Sequence, residues 1–161
     1  MEIVEFSQAF PKLARRLGTE NSALFVNLVG EREVAAGTTL IDNQIPVGSL
    51  YLVIEGEFRV MVPRMDNELE IDRIGPGKLI GEAPLFCEDH LSTSRVIAIT
   101  PSRMIDIPHV QYWSWWKDNP DLASVLTREI IDHMSERVRI ADELINHSLQ
   151  RSASIPANPQ N

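Results

Sequence analysis

The sequence predicts a mainly β fold, with antiparallel strands closed into a barrel or sandwich and helices on either side. Three observations carry that prediction. Between Glu31 and Ile107, short apolar stretches are cut by turn residues at intervals of roughly 8 to 12 residues, the rhythm of antiparallel strands. Ahead of them, two helix-patterned segments end at glycines. Behind them, no glycine or proline follows Pro120 until Pro156, which leaves room for one helix of about 45 Å at 1.5 Å per residue.

Ser7 to Leu17 and Asn21 to Val29 read as short helices, with Ser7 and Asn21 as N-caps and Gly18 and Gly30 as stops. The expected strands are Glu31 to Ala35, Thr38 to Asp42, Leu50 to Ile54, Glu57 to Val62, Leu69 to Ile74, Ser94 to Thr100 and Arg103 to Ile107. Gly37, Pro46 with Gly48, Gly56, Asp66 with Asn67, Gly75-Pro76-Gly77 and Pro101 with Ser102 break the chain between them. Gly81 to Asp89 is too long for a hairpin turn and lacks strand alternation, so it reads as a short inserted helix and loop. Pro108 opens a helix carrying Tyr112, Trp113, Trp115 and Trp116, of which one Trp is expected at an interface and the others in the core. Asn119-Pro120-Asp121 restarts the chain as a helix, since Asn caps amides, Pro suits the first helical position and Asp complements the positive helix end.

In that last helix Leu122, Leu126, Ile130, Met134, Val138, Ala141, Ile145 and Leu149 recur at spacings of three or four, with Val125, Ile131 and Leu144 widening the stripe. The stripe outruns a small barrel. Its second half therefore predicts a homodimer through the helix Pro120 to Leu149. The expected organisation is an N-terminal helical segment over 1–30, a barrel over 31–107 with an insert at 81–93, C-terminal helices over 108–150 and a disordered tail over 151–161.

At 161 residues the chain fits one domain. Fifteen Lys and Arg against 23 Asp and Glu give a net charge of −8, which argues against nucleic acid as a partner. Cys87 is the single cysteine, so no internal disulfide or four-thiolate metal site forms, and a reducing, cytoplasmic location is expected. Met1 to Phe10 carries Glu2 and Glu5 and no apolar run, unlike a signal peptide, and no stretch approaches the roughly 20 apolar residues of a membrane span. His90, His109, His133 and His147 are scattered without ligand spacing, so no metal is expected. Cys87 is expected to be a small buried apolar residue. Ser92, Thr93 and Ser94 form no nucleophile motif, and nothing supports an enzyme.

The ordered segments Gly37 to Ile41, Leu50 to Val60, Gly75 to Glu82, Leu85-Phe86, Val96 to Pro108 and Asn119 to Leu122 together resemble the cyclic-nucleotide-binding domain. This is the ligand-sensing module of the bacterial cAMP receptor protein family and of cyclic-nucleotide-regulated kinases and channels. The resemblance spans Glu31 to Leu149. It implies a double-stranded β-helix (jelly-roll) barrel with N-terminal helices and a long C-terminal helix. In the family, a Gly-Glu helix forms the phosphate-binding cassette: backbone amides face the cyclic phosphate, the Glu accepts from the ribose 2'-hydroxyl, and an Arg neutralises the phosphate. Carried over, the pattern assigns Gly81, Glu82, Ala83, Ser92 and Thr93 to the ligand site, with Ser92 where the Arg is expected.

That replacement bears on the ligand, cAMP or cGMP, that the resemblance implies. A guanidinium bond to a phosphate contributes about 1.5 to 3 kcal/mol, so at about 1.4 kcal/mol per tenfold its loss beside a retained carboxylate weakens anion binding by about two orders of magnitude or more. Arg95 and Arg137 are the candidate compensating cations. Arg95 lies three residues from Ser92, which on a strand is the opposite face. Pro84 removes one cassette N–H, and Gln44 replaces a glycine common in that turn. The leading reading is a non-enzymatic regulatory module that senses a small ligand and signals through its C-terminal helices to a protein partner. The alternatives are a degenerate domain that binds no nucleotide and acts as an interaction or scaffold subunit, and the sensor half of a transcription regulator. No helix-turn-helix segment follows Leu149, which favours a stand-alone domain.

Overall fold

Leu50 to Ile54 is an apolar run without polar alternation, which a strand sustains only when both of its faces are covered. The computed structural model, which describes residues 1–65 and 67–153, shows what covers them. Helices α1 (Ile3–Ala9) and α2 (Pro11–Leu28) lead into β1 (Gly30–Val34), β2 (Thr39–Ile41), β3 (Ser49–Glu55), β4 (Phe58–Arg64), β5 (Asn67–Ile74) and β6 (Leu79–Ile80). Then come α3 (Glu82–Leu85), β7 (Arg95–Ala98), β8 (Ser102–Pro108), α4 (His109–Asp118) and α5 (Pro120–Ala153). Two antiparallel four-stranded sheets, ordered β1-β8-β3-β6 and β2-β7-β4-β5, face each other as a jelly roll.

β3 separates two cores. Leu50, Leu52 and Ile54 point to the helices and pack with Phe6, Phe25, Tyr112 and Leu126. Tyr51 and Val53 point into the barrel and pack with Phe58, Val60, Val96 and Met104. Burying such side chains contributes about 1.5 to 3 kcal/mol each, so β3 is the wall on which both halves are built. Leu122, Ala123, Leu126 and Ile130 of α5 are buried in the helical core, whereas Ile131 and Val138 are exposed. Arg16 fastens α5 to α2, its two terminal nitrogens each 2.6 Å from Glu129 and Asp132. None of the described helices is long and apolar enough to cross a membrane.

Several local expectations are corrected. Ser7 does not cap: it lies within α1, where its Oγ donates to the Ile3 carbonyl at 2.8 Å. Asn21 lies inside α2 and does not cap it, while Gly18 (φ 72°, ψ 175°) leaves the helical region and divides α2 into two helical pieces, so the stop expected there is present. Pro at the first helical position outweighed the side-chain cap signals. The two-residue β6 was too short to show a period. α5 continues to Ala153, so the first residues of the expected tail are helical, while 154–161, the Asp66 turn residue and the side chains of Leu144 and Leu149 lie outside the description. Two tryptophans rather than one are half-exposed, Trp113 and Trp116, with Trp115 buried. Cys87 is exposed, not buried.

The β3–β4 turn depends on Gly56, whose φ is 93° and whose missing Cβ would lie 2.0 Å from Ser102 Oγ and 2.7 Å from Ser102 Cα. Backbone in this region costs about 1 to 3 kcal/mol for other residues, before the collision with Ser102 is added. Gly56→Ala should lower the thermal midpoint by several degrees, at about 2 to 4 °C per kcal/mol for a domain of this size. Thermal unfolding followed by circular dichroism with an unchanged midpoint would contradict this account of the turn.

Candidate functional site

The site forms where β6 hands the chain to α3. Gly81 turns it with φ 85° and ψ 15°, and a Cβ there would lie 2.7 Å from the Ser49 carbonyl oxygen, so only glycine passes. The turn delivers Glu82 into the interior, where the residue is 2 % exposed. A carboxylate taken this far from water requires compensation. It comes from α5: Arg137 Nη1 donates to Glu82 Oε1 at 2.5 Å, and Arg137 Nε lies 4.0 Å from Asp72 Oδ2 on β5. His133, one helical turn before Arg137, places Nδ1 3.9 Å from the same Glu82 oxygen.

Beside this pair lies a cavity of about 150 Å³, whose lining includes Gly81, Ala83, Ser92, Thr93 and apolar side chains from both sheets. Small-molecule sites span about 300 to 1,000 Å³, so this space is short of a nucleotide. Among the described residues, the charged ones in its lining are Glu82 and Arg137, and they pair with each other. Ser92 is buried, and its Oγ donates to the Ser94 carbonyl at 2.8 Å and accepts from the Ser94 amide at 3.2 Å. The Ser92 carbonyl accepts the Gln44 amide at 2.8 Å. Gln44 holds φ 59°, so it keeps the glycine-type backbone expected in that turn despite its side chain.

The two candidate cations part company. Val96 and Ala98 of β7 point into the barrel, so Arg95, on the alternate face, points away from it and pairs with Glu68 of β5. It does not line the cavity. Arg137 does, but it is held by the carboxylate rather than left open to an anion.

Sequence reasoning missed two features. His133 precedes Arg137 by four residues, a helical spacing that put both on one face. His90 and His109, taken as scattered, meet with ring centroids 5.4 Å apart and planes tilted by 54°. No sequence-local signal joins them: the cassette loop carries one and α4 the other. His90 Nδ1 lies 2.7 Å from the Pro84 carbonyl, while neither ring nitrogen of the buried His109 has a hydrogen-bond partner among the described residues. No group of His, Cys, Asp and Glu among the described residues is arranged to hold a metal.

The family model described as cyclic nucleotide-binding domain matches residues 31–119. Among solved structures, a cyclic nucleotide-binding domain from Methylobacillus flagellatus KT is similar with a TM-score of 0.79 at 14% identity, over 89% of this chain and 84% of that one. The N-terminal domain of a transcriptional regulator from Streptomyces coelicolor A3(2) matches at 26% identity and a TM-score of 0.66, over 84% and 93%. The Thermus thermophilus catabolite activator protein matches at 21% identity and a TM-score of 0.68, over 83% of this chain but only 61% of its own length. No curated protein matches the sequence.

Burial, with His90 beside it, holds the His109 imidazole below its ordinary value of 6.5, and burial does the same to His133 against the pull of Glu82. Below 6.5 the unfolded chain takes up protons that the folded chain refuses. Stability is therefore full above that value and is lost as pH falls from it. Denaturant unfolding between about pH 7 and pH 5 should show this loss, and His109→Gln should flatten it. A slope left unchanged by both His109→Gln and His133→Gln would contradict the assignment.

Proposed function

Because the chain belongs to the cyclic nucleotide-binding domain family, we propose that it is a non-enzymatic regulatory domain whose cassette is held closed by its own arginine and works without a cyclic nucleotide. The observation that carries this reading is the 2.5 Å contact between Arg137 and Glu82. The carboxylate that would accept a ribose hydroxyl is already engaged, and the guanidinium that would meet a phosphate is paired with it. Ser92 offers a hydroxyl turned back on its own loop, Arg95 is drawn outward by Glu68, and the cavity is too small. The output of such a module is its surface and its helices, presented to a protein partner. A second reading, in which the domain senses a ligand smaller than a nucleotide, is favoured by the retained left-handed Gly81 and the polar side of the cavity.

We further propose that α5 makes the domain a homodimer. Ile131 and Val138 are 55 % and 62 % exposed and lie seven residues apart, with the exposed Ala141 three residues beyond Val138, while Met134 packs against the domain's own helical core. Two exposed β-branched residues at heptad spacing suit the first position of a two-stranded parallel coiled coil.

Titration of the protein with cAMP and cGMP by calorimetry should show no binding in the micromolar range, and a micromolar response would sink the nucleotide-free reading. Ser92→Arg supplies the missing cation and should bring binding into range, most clearly when combined with Arg137→Gln, which releases Glu82. Arg137→Gln alone should destabilise the domain by about 1 to 3 kcal/mol, since a buried carboxylate loses its charged partner, and Glu82→Gln in the same chain should restore most of that loss.

Light scattering should give a dimer at high micromolar concentration and a monomer for Ile131→Glu with Val138→Glu. A monomeric parent protein would refute the α5 interface.

A further inference from the structure

The cassette and α4 together build an exposed aromatic surface that neither the barrel nor the cavity uses. Phe86 caps α3 at its C-terminal end and is 45 % exposed. Its ring meets Trp113 edge-on at 5.9 Å and Tyr112 at 6.0 Å. Val110, Trp113 and Trp116 follow at three-residue spacing along α4, 78 %, 47 % and 45 % exposed, so they form one stripe beside Phe86. The three exposed rings alone leave roughly 300 Å² of apolar surface, at 150 to 250 Å² for a full aromatic side chain, the size at which a surface patch marks an interaction site. Large rings gain most when a partner desolvates them, and they dominate the energetics of interfaces.

The charged residues that follow the stripe's rings along the chain are mostly acidic. Glu88 and Asp89 follow Phe86 on the cassette loop, Asp118 closes α4 after Trp116 and Asp121 lies in the first turn of α5, all exposed, with Lys117 the single base among them. The chain as a whole carries −8. We infer that this surface docks a cationic amphipathic helix, whose apolar face lies along Val110, Trp113, Trp116 and Phe86 and whose flanking Lys or Arg side chains meet the four carboxylates. A straight stripe at helical spacing suits a helix laid beside it, read by anchors at positions three and four apart. Charge complementarity selects the occupant. A second copy of this chain in a twofold contact would set the same acidic flanks against each other, which disfavours that alternative. Nucleic acid and anionic membranes are repelled for the same reason.

The inference rests on the reading of the domain as a partner-binding regulator, and it adds which surface and which partner chemistry. It also gives the cassette an output. Phe86 and Glu82 flank the same four-residue helix, Glu82 at its buried start and Phe86 at its exposed end.

The test titrates the whole protein with a synthetic amphipathic helix of leucine and lysine, with a leucine–glutamate helix of the same pattern as control, following tryptophan fluorescence and confirming by calorimetry. The basic peptide should bind and the acidic one should not, with affinity falling as salt rises. Trp113→Ala and Phe86→Ser should each weaken binding at least tenfold. Val110→Lys, at the most exposed position of the stripe, and Glu88→Lys with Asp89→Lys test the surface without touching the core, and should also weaken it at least tenfold while leaving the thermal midpoint unchanged. Absence of binding, equal binding of both peptides, or indifference to Val110→Lys and the charge reversals would overturn the proposal. So would self-association of the chain that Trp113→Ala abolishes, which would assign the stripe to a second copy. Nucleotide titration is a separate readout: micromolar cAMP binding would remove the closed-cassette reading and leave the peptide result standing.

Discussion

A carboxylate with 2 % exposure is the most demanding group in this protein, and Glu82 is that carboxylate. Desolvating it costs several kcal/mol unless a charge partner comes with good geometry, and the partner here is supplied from 55 residues away in sequence. The path from Pro120 to Arg137 along α5 is about 25 Å at 1.5 Å per residue, so the pairing fixes both the direction and the rotation of the helix. Arg16 sets the same helix from its other neighbour, through Glu129 and Asp132. The pair contributes specificity more than net stability, since a buried ion pair gains little over a well-packed apolar one. It dictates where the cassette, β5 and α5 must sit relative to each other.

The remaining geometry follows from β3 having two covered faces. Its outward side chains hold the helices, and its inward ones fill the barrel with Tyr51 and Val53. β6 pairs with β3 at Tyr51 and Leu52, so the chain leaving β6 must pass close over Ser49, and only a glycine in the left-handed region does so. The position of Glu82 is thus a consequence of strand pairing. What space remains inside is small, because Ile41, Val60, Ile74, Ile80 and Val96 line the cavity.

These constraints were unequally visible in the sequence. The strands were legible because turn residues such as Gly56 and Gly75-Pro76-Gly77 stand between apolar runs whose length matches a barrel wall. The helix starts were less so, because Ser7 and Asn21 carry a capping side chain that a helix interior also tolerates, and Pro11 decided the matter. Gly81 and Glu82 were legible as a pair through their resemblance to a known cassette, and Ser92 through its register. The role of Arg137 was not, because a charged residue on a long helix looks the same whether it faces water or a buried acid. His109 and His90 met only through the packing of the cassette loop on α4, a contact between segments 19 residues apart with no periodicity to announce it.

The outward orientation of Arg95 is fixed by the sheet rather than by the side chain itself. To turn Arg95 inward, β7 would have to slip by one residue, and a one-residue slip reverses every side chain on the strand. Val96 and Ala98 would then leave the barrel interior, where they face Phe58 and Val60, and the pairing of Thr39 with Ile97 and of Val60 with Val96 would be lost. Arg95 would also abandon Glu68. Taken together, those losses outweigh the about 1.5 to 3 kcal/mol that a charge-assisted bond from one guanidinium to an anion contributes. An inward-facing arginine on this stretch of chain therefore has to arise by substitution at position 92, and cannot be recovered by a shift of Arg95.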